Sequence, residues 1–132
     1  MSNSTQSLKI LIIEDNRDFA LIFCSLMEDM GHKCVSAFDG FEGLTKAKEM
    51  KPDVIFCDIG LPKMNGFDVA QNLKTEKSLS ITIVVALTGY AGKQDINKSA
   101  ESGFDYHLTK PVGMCDIEMI LKKAQDRKNN PV

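Results

Sequence analysis

Five short apolar runs, each followed by a stretch of helical spacing or a connecting segment long enough for a helix, leave this chain few folds. The runs are Leu8 to Ile13, Lys33 to Ser36, Val54 to Cys57, Ile81 to Leu87 and Phe104 to Leu108. After the first, Phe19, Ile22, Phe23, Leu26, Met27 and Met30 recur at helical intervals until Gly31. After the second, Asp39 is a candidate N-cap, and Phe41, Leu44 and Ala47 form a helical face ending near Met50. Phe67, Ala70 and Leu73 mark a third helix. Lys93 to Ser102, with Ile96 and Ala100 as its apolar pair, predicts a weakly anchored fourth, and Ile117, Ile120, Leu121 and Ala124 give the fifth a core face. Strands joined by helical crossovers pair in parallel, so the pattern predicts an α/β domain: one parallel sheet with helices on both faces. Val54-Ile55-Phe56-Cys57 shows no alternation, as suits a central strand covered on both sides.

The 132 residues, 43% apolar and 26% charged, suffice for one core without disulfides or a structural metal. We expect the domain to span residues 8–126, between tails at 1–7 and 127–132. A net charge of -2 and a pI near 5.7 provide no basic footprint for nucleic acid. Met1 to Ser7 lacks the basic start and apolar stretch of a signal peptide, and no run approaches a membrane span. A cytoplasmic location is the expectation. Cys24, Cys34, Cys57 and Cys115 show no metal-finger spacing and read as reduced, mostly packed thiols. The methionines at 27, 30, 64, 114 and 119 read as core or gap-filling residues, and His32 as a turn residue without a partner.

Glu14-Asp15, Asp58, Thr88 and Lys110 each stand at or near the end of an apolar run. In an open parallel sheet the carboxyl ends of the strands share one edge, where ligands bind, so these residues are expected to meet. Glu14, Asp15 and Asp58 offer the oxygen ligands that Mg²⁺ prefers, and a cation would relieve their mutual repulsion. A carboxylate can also attack phosphorus and form an acyl phosphate, and Asp58, at the end of the central strand, is best placed to do so. The Lys110 ammonium can offset the incoming charge, and the Thr88 hydroxyl can donate to a phosphoryl oxygen. A cis Lys110-Pro111 bond is one way to aim the amine inward, though sequence leaves the isomer open.

In this order and spacing the residues resemble the receiver domains of two-component response regulators over essentially the whole chain. Glu14-Asp15 resembles the acidic metal-binding pair, Asp58 the phospho-accepting aspartate, Thr88 the switch hydroxyl and Lys110-Pro111 the Lys-Pro pair. Asp58-x-x-x-Pro62-x-x-x-Gly66 fits the loop that follows the phosphorylation site. The resemblance implies a flavodoxin-like, doubly wound five-stranded sheet of order 2-1-3-4-5. It also implies Mg²⁺ held by Asp15, Asp58 and the Gly60 carbonyl, with Glu14 acting through metal-bound water. A histidine kinase or histidine phosphotransfer protein would be the phosphodonor, a downstream protein the target, and the chain a monomer or weak dimer. Thr88 and the Gly89-Tyr90-Ala91-Gly92 loop would move on phosphorylation, while Gly60 and Tyr90 would tune the phosphoryl lifetime. Glu14 stands where aspartate is commoner. His107 stands at the switch position often held by Tyr or Phe, and reads equally as a packing histidine.

Three other functions compete with a self-contained phosphorylated binding module. The chain could be the receiver module of a larger hybrid histidine kinase. An aspartate-nucleophile phosphatase of the haloacid dehalogenase type would carry D-x-D after the first strand, where this chain has Glu14-Asp15-Asn16. A non-phosphorylated scaffold does not explain a complete set of site residues.

Overall fold

The computed structural model describes residues 7–61, 64–89 and 102–129. The described elements run β1 (Lys9–Ile13), α1 (Arg17–Asp29), β2 (Lys33–Ala37), α2 (Gly40–Met50), β3 (Val54–Asp58), α3 (Gly66–Lys74), a short 3₁₀ turn (Lys77–Leu79), β4 (Ile83–Thr88), β5 (Tyr106–Thr109) and α4 (Met114–Asn129). The strands form one parallel sheet in the order β2-β1-β3-β4-β5. The helix expected from Lys93 falls, but for its last residue, outside the described residues, as do Tyr90, Ala91 and Gly92.

Alternation along each strand divides the core into two layers. Ile10, Ile12, Phe56 and Leu87 pack with α1 and α4, and Leu11, Ile13, Ile55 and Ala86 pack with α2 and α3. Each fully buried Ile or Leu contributes about 2 kcal/mol relative to exposure. Caps bring the chain into its helices: Asn16, Asp39 and Asn65 each accept the amide three residues on with a side-chain oxygen.

Several expectations need correction. Ile81 is exposed and precedes β4, because Thr82 turns aside and donates its hydroxyl to the Pro52 carbonyl at 2.7 Å. Phe104 precedes β5; Asp105 makes the first contacts there, its amide donating to the Val84 carbonyl and its carboxylate accepting the Val84 amide. The last helix continues through Arg127 to Asn129, held by Arg127 donating to the Ile81 carbonyl and by Lys128 pairing with Asp53. Phe41, Met114 and Met119 are exposed where core positions were expected, because helical spacing identifies a face without showing whether the sheet covers it. His32 is not a partnerless turn residue: it is 8% exposed, and its Nδ1 accepts the Leu8 amide at 3.0 Å.

Candidate functional site

The parallel registers Ile13 with Cys57, Asp58 with Leu87 and Thr88 with Thr109 bring the carboxyl ends of four strands to one edge. The backbone ties these ends together beyond the ladders. The Glu14 amide donates to the Ala37 carbonyl at 2.9 Å, the Ile59 amide to Leu87 at 3.0 Å and the Lys110 amide to Thr88 at 2.7 Å. These bonds place residues from distant parts of the sequence around one pocket.

Glu14 lies deepest, 1% exposed. One of its oxygens accepts the Asn16 amide at 3.1 Å, and the other accepts from Lys110 Nζ. Burial pushes the Glu14 pKa up, opposed by the bonds from Lys110 and Asn16, while the charge of Asp58 adds to the rise. Asp15 is exposed and Asp58 half-buried, and carboxylate oxygens of Glu14, Asp15 and Asp58 lie within 4.8 Å of one another. Such an all-oxygen set, partly open to solvent, fits a hard divalent cation.

Asp58 is held from two sides. Its Oδ1 accepts the Gly60 amide at 2.9 Å, and its Oδ2 stands 3.6 Å from Lys110 Nζ. Burial opposes the Lys110 charge, but Glu14 and Asp58 outweigh it and hold the ammonium pKa above its ordinary value. The same ammonium lies 4.6 Å from the centre of the Phe19 ring. The Lys110-Pro111 peptide is cis. Gly66 explains the last position of the loop pattern: a Cβ there would stand 2.6 Å from both the Asp58 carbonyl oxygen and the Ile59 Cα. The first turn of α3 therefore rests directly on the backbone that carries Asp58.

Thr88 is buried as the last residue of β4, at the same edge. His107 lies within β5 opposite Ala86, and its Nε2 is buried. By strand alternation it faces the layer opposite Tyr106 and Leu108.

Two features were not anticipated. Asn16 caps α1, which leaves Glu14 and Asp15 free of that task; an Asn three residues before the first apolar helix position was the available signal. Beside the site, Phe19, Ile22, Leu26, Pro111 and Met114 line an apolar groove of about 260 Å³, with Ile22 63% exposed. Helical spacing identifies Ile22 and Leu26 as helix positions, but nothing local distinguishes a covered helical face from an open one.

The sequence model of the response regulator receiver domain family matches residues 10–122. The chain is 32% identical over 105 residues to the polar-differentiation response regulator DivK of Brucella anthropi, covering 80% of this chain and 85% of that protein. It is 35% identical over 123 residues to hybrid signal transduction histidine kinase G of Dictyostelium discoideum, a match covering 91% of this chain and only 4% of the kinase. Among solved structures, a response regulator receiver domain protein from Clostridium thermocellum superposes with a TM-score of 0.84 at 27% identity, covering 94% of this chain and 98% of that one. The receiver domain of a sensor histidine kinase from Pseudomonas aeruginosa, solved with a magnesium ion coordinated in its active-site cleft, shares the fold with a TM-score of 0.83 at 21% identity, covering 92% and 99%. By sequence match and by fold, this chain belongs to the response regulator receiver domain family.

Proposed function

We propose that this chain is a phospho-accepting switch in which Asp58 takes a phosphoryl group from phosphohistidine on a histidine kinase or phosphotransfer protein. The observation that carries this reading is the setting of Asp58: one oxygen anchored by the Gly60 amide, the other facing Lys110, with Glu14 and Asp15 alongside. An Asp58 oxygen attacks phosphorus, the P–N bond to the donor imidazole breaks, and the acyl phosphate forms on Asp58. Glu14, Asp15, Asp58 and the Gly60 carbonyl would hold Mg²⁺, which supplies countercharge to the phosphoryl oxygens. Lys110, already oriented by Glu14, supplies a second positive charge, and Thr88 donates its hydroxyl to the phosphoryl group. Thr88 and His107 then carry the change to a protein-binding surface, shifting the population between two conformations. The chain acts as a cytoplasmic signalling module that catalyses only its own phosphorylation and dephosphorylation.

Incubation with acetyl phosphate, followed by intact-mass measurement, tests this. Wild type should gain about 80 Da, one phosphoryl group, with Mg²⁺ and not with EDTA, and Asp58→Asn should gain nothing. A wild type that stays unmodified with Mg²⁺ present refutes the reading.

The match to a small segment of a much larger kinase favours a second reading, that this sequence acts as the receiver module of a hybrid histidine kinase. The reading frame around its coding sequence decides between them.

A further inference from the structure

We propose that Cys24 and Cys34 are a redox-active dithiol, which a low-molecular-weight disulfide of the glutathione class converts into an intramolecular disulfide tying α1 to β2. This inference rests on the thiol geometry and is independent of the phospho-acceptor reading.

The two sulfurs lie 2.7 Å apart, both half-buried. Non-bonded carbons pack at about 3.5–4.0 Å, and sulfur is larger, so the side chains already face each other more closely than ordinary contact requires. A disulfide of about 2.05 Å needs less than an ångström of further approach. Both residues sit on fixed elements. Cys34 pairs in register with Ile10 on β1. The turn between α1 and β2 is bound back to the helix by the Met30, Gly31 and His32 amides, with Gly31 at a φ of +92° that side-chain-bearing residues rarely adopt. The order of the sheet leaves β2 at its edge, joined on one side by β1.

The chemistry divides between the two thiols. The neighbouring Cys34 thiol lowers the Cys24 pKa against the opposing effects of burial and Glu28, with Lys46 assisting, while the bond to Cys24, burial and the charge of Glu28 all push the Cys34 pKa up. Cys24 is therefore the nucleophile. Its thiolate attacks oxidised glutathione, forming a Cys24–glutathione mixed disulfide and releasing one glutathione thiolate. Cys34 gives up its proton and attacks the Cys24 sulfur, releasing the second glutathione. Two protein thiols are oxidised by two electrons, and one glutathione disulfide is reduced to two thiols. Cys57 is fully buried and Cys115 exposed on α4; neither belongs to the pair.

The test exposes the folded full chain to oxidised glutathione, then denatures it, alkylates free thiols with iodoacetamide and maps the peptides by mass. Cys24 and Cys34 should both escape alkylation, a linked peptide should join them, and dithiothreitol should reverse the link; a glutathione adduct on the exposed Cys115 is separate from the pair. Cys34→Ser should stop at the glutathione adduct on Cys24, and Cys115→Ser should form the link as wild type does. Wild type in which all four thiols alkylate, a persistent glutathione adduct on Cys24 without the link, or a bond through Cys115 overturns the proposal. Circular dichroism checks the fold of each variant; should Cys34→Ser fail to fold, the wild-type peptide map decides.

Discussion

The Lys110 ammonium donates a hydrogen bond to a Glu14 carboxylate that is almost wholly buried, while standing 3.6 Å from Asp58. The bridge offsets the charge of an acid almost cut off from water and positions a cation beside Asp58. Removing one partner of a buried pair leaves the other uncompensated. Because Lys110 is partly exposed and Glu14 can take up a proton, we expect Lys110→Met to cost roughly 2–3 kcal/mol in urea unfolding without divalent metal, below the upper range for such pairs. Adding Glu14→Gln should recover a large part of this loss, and the double-mutant cycle measures the coupling. Strict additivity would contradict the bridge.

Gly66 places the start of α3 against the Asp58 and Ile59 backbone. Backbone cannot swing away as a long side chain can, so Gly66→Ala should destabilise the fold by about 1–3 kcal/mol. It should also slow phosphorylation by acetyl phosphate more than an equally destabilising core substitution distant from the site. Equal stability losses with equal rates would show that the contact does not position Asp58.

The groove along α1 adjoins the site through Phe19 and Pro111, so under the proposed function a protein phosphodonor would find an apolar surface next to the pocket that holds Asp58. Ile22 is well exposed, and its replacement should change stability by no more than about 0.5 kcal/mol. Ile22→Asp should weaken phosphoryl transfer from a phosphohistidine protein active on wild type by tenfold or more, about 1.4 kcal/mol, with the acetyl phosphate rate unchanged. Loss of both rates would place the defect in the site instead of the surface.

His32 couples folding to acid. Burial lowers its pKa, partly offset by Asp53, and its Nδ1 must remain unprotonated to accept the Leu8 amide. The unfolded chain therefore binds the proton more readily, with a pKa of about 6.5. The stabilisation is complete above that value, declines as pH falls below it, and levels off below the folded pKa. Urea unfolding at a series of pH values should show this decline in wild type. His32→Leu should flatten it in the same window, at a constant cost of about 1–3 kcal/mol for the buried Leu8 amide left unbonded. An unchanged slope in the variant would assign the pH dependence to another group.

The alternation of strand and helix, and the placement of Glu14, Asp15, Asp58, Thr88 and Lys110 at strand ends, were legible because both depend on short-range periodicity and on the parallel pairing that helical crossovers impose. The strand order rested on resemblance and agrees with the sheet. Boundaries at Ile81, Phe104 and Arg127 were not legible, because non-local bonds involving Pro52, Val84 and Ile81 shape them.

Contacts between elements lay further out of reach. Sequence marks a charged residue at the end of a strand, but whether Lys110 reaches Glu14 depends on how the chain leaving β5 stands over the ends of β3 and β4, which separate it from β1. His32 finding Leu8 and Cys24 facing Cys34 depend equally on the docking of one element against another. Ile22 remains in the open for the converse reason: it stands about 100° around the helix from Phe23, outside the stripe of Ala20, Phe23 and Met27 that the sheet covers. Local periodicity is written in neighbouring residues; burial, pairing and exposure emerge when separate faces come together in space.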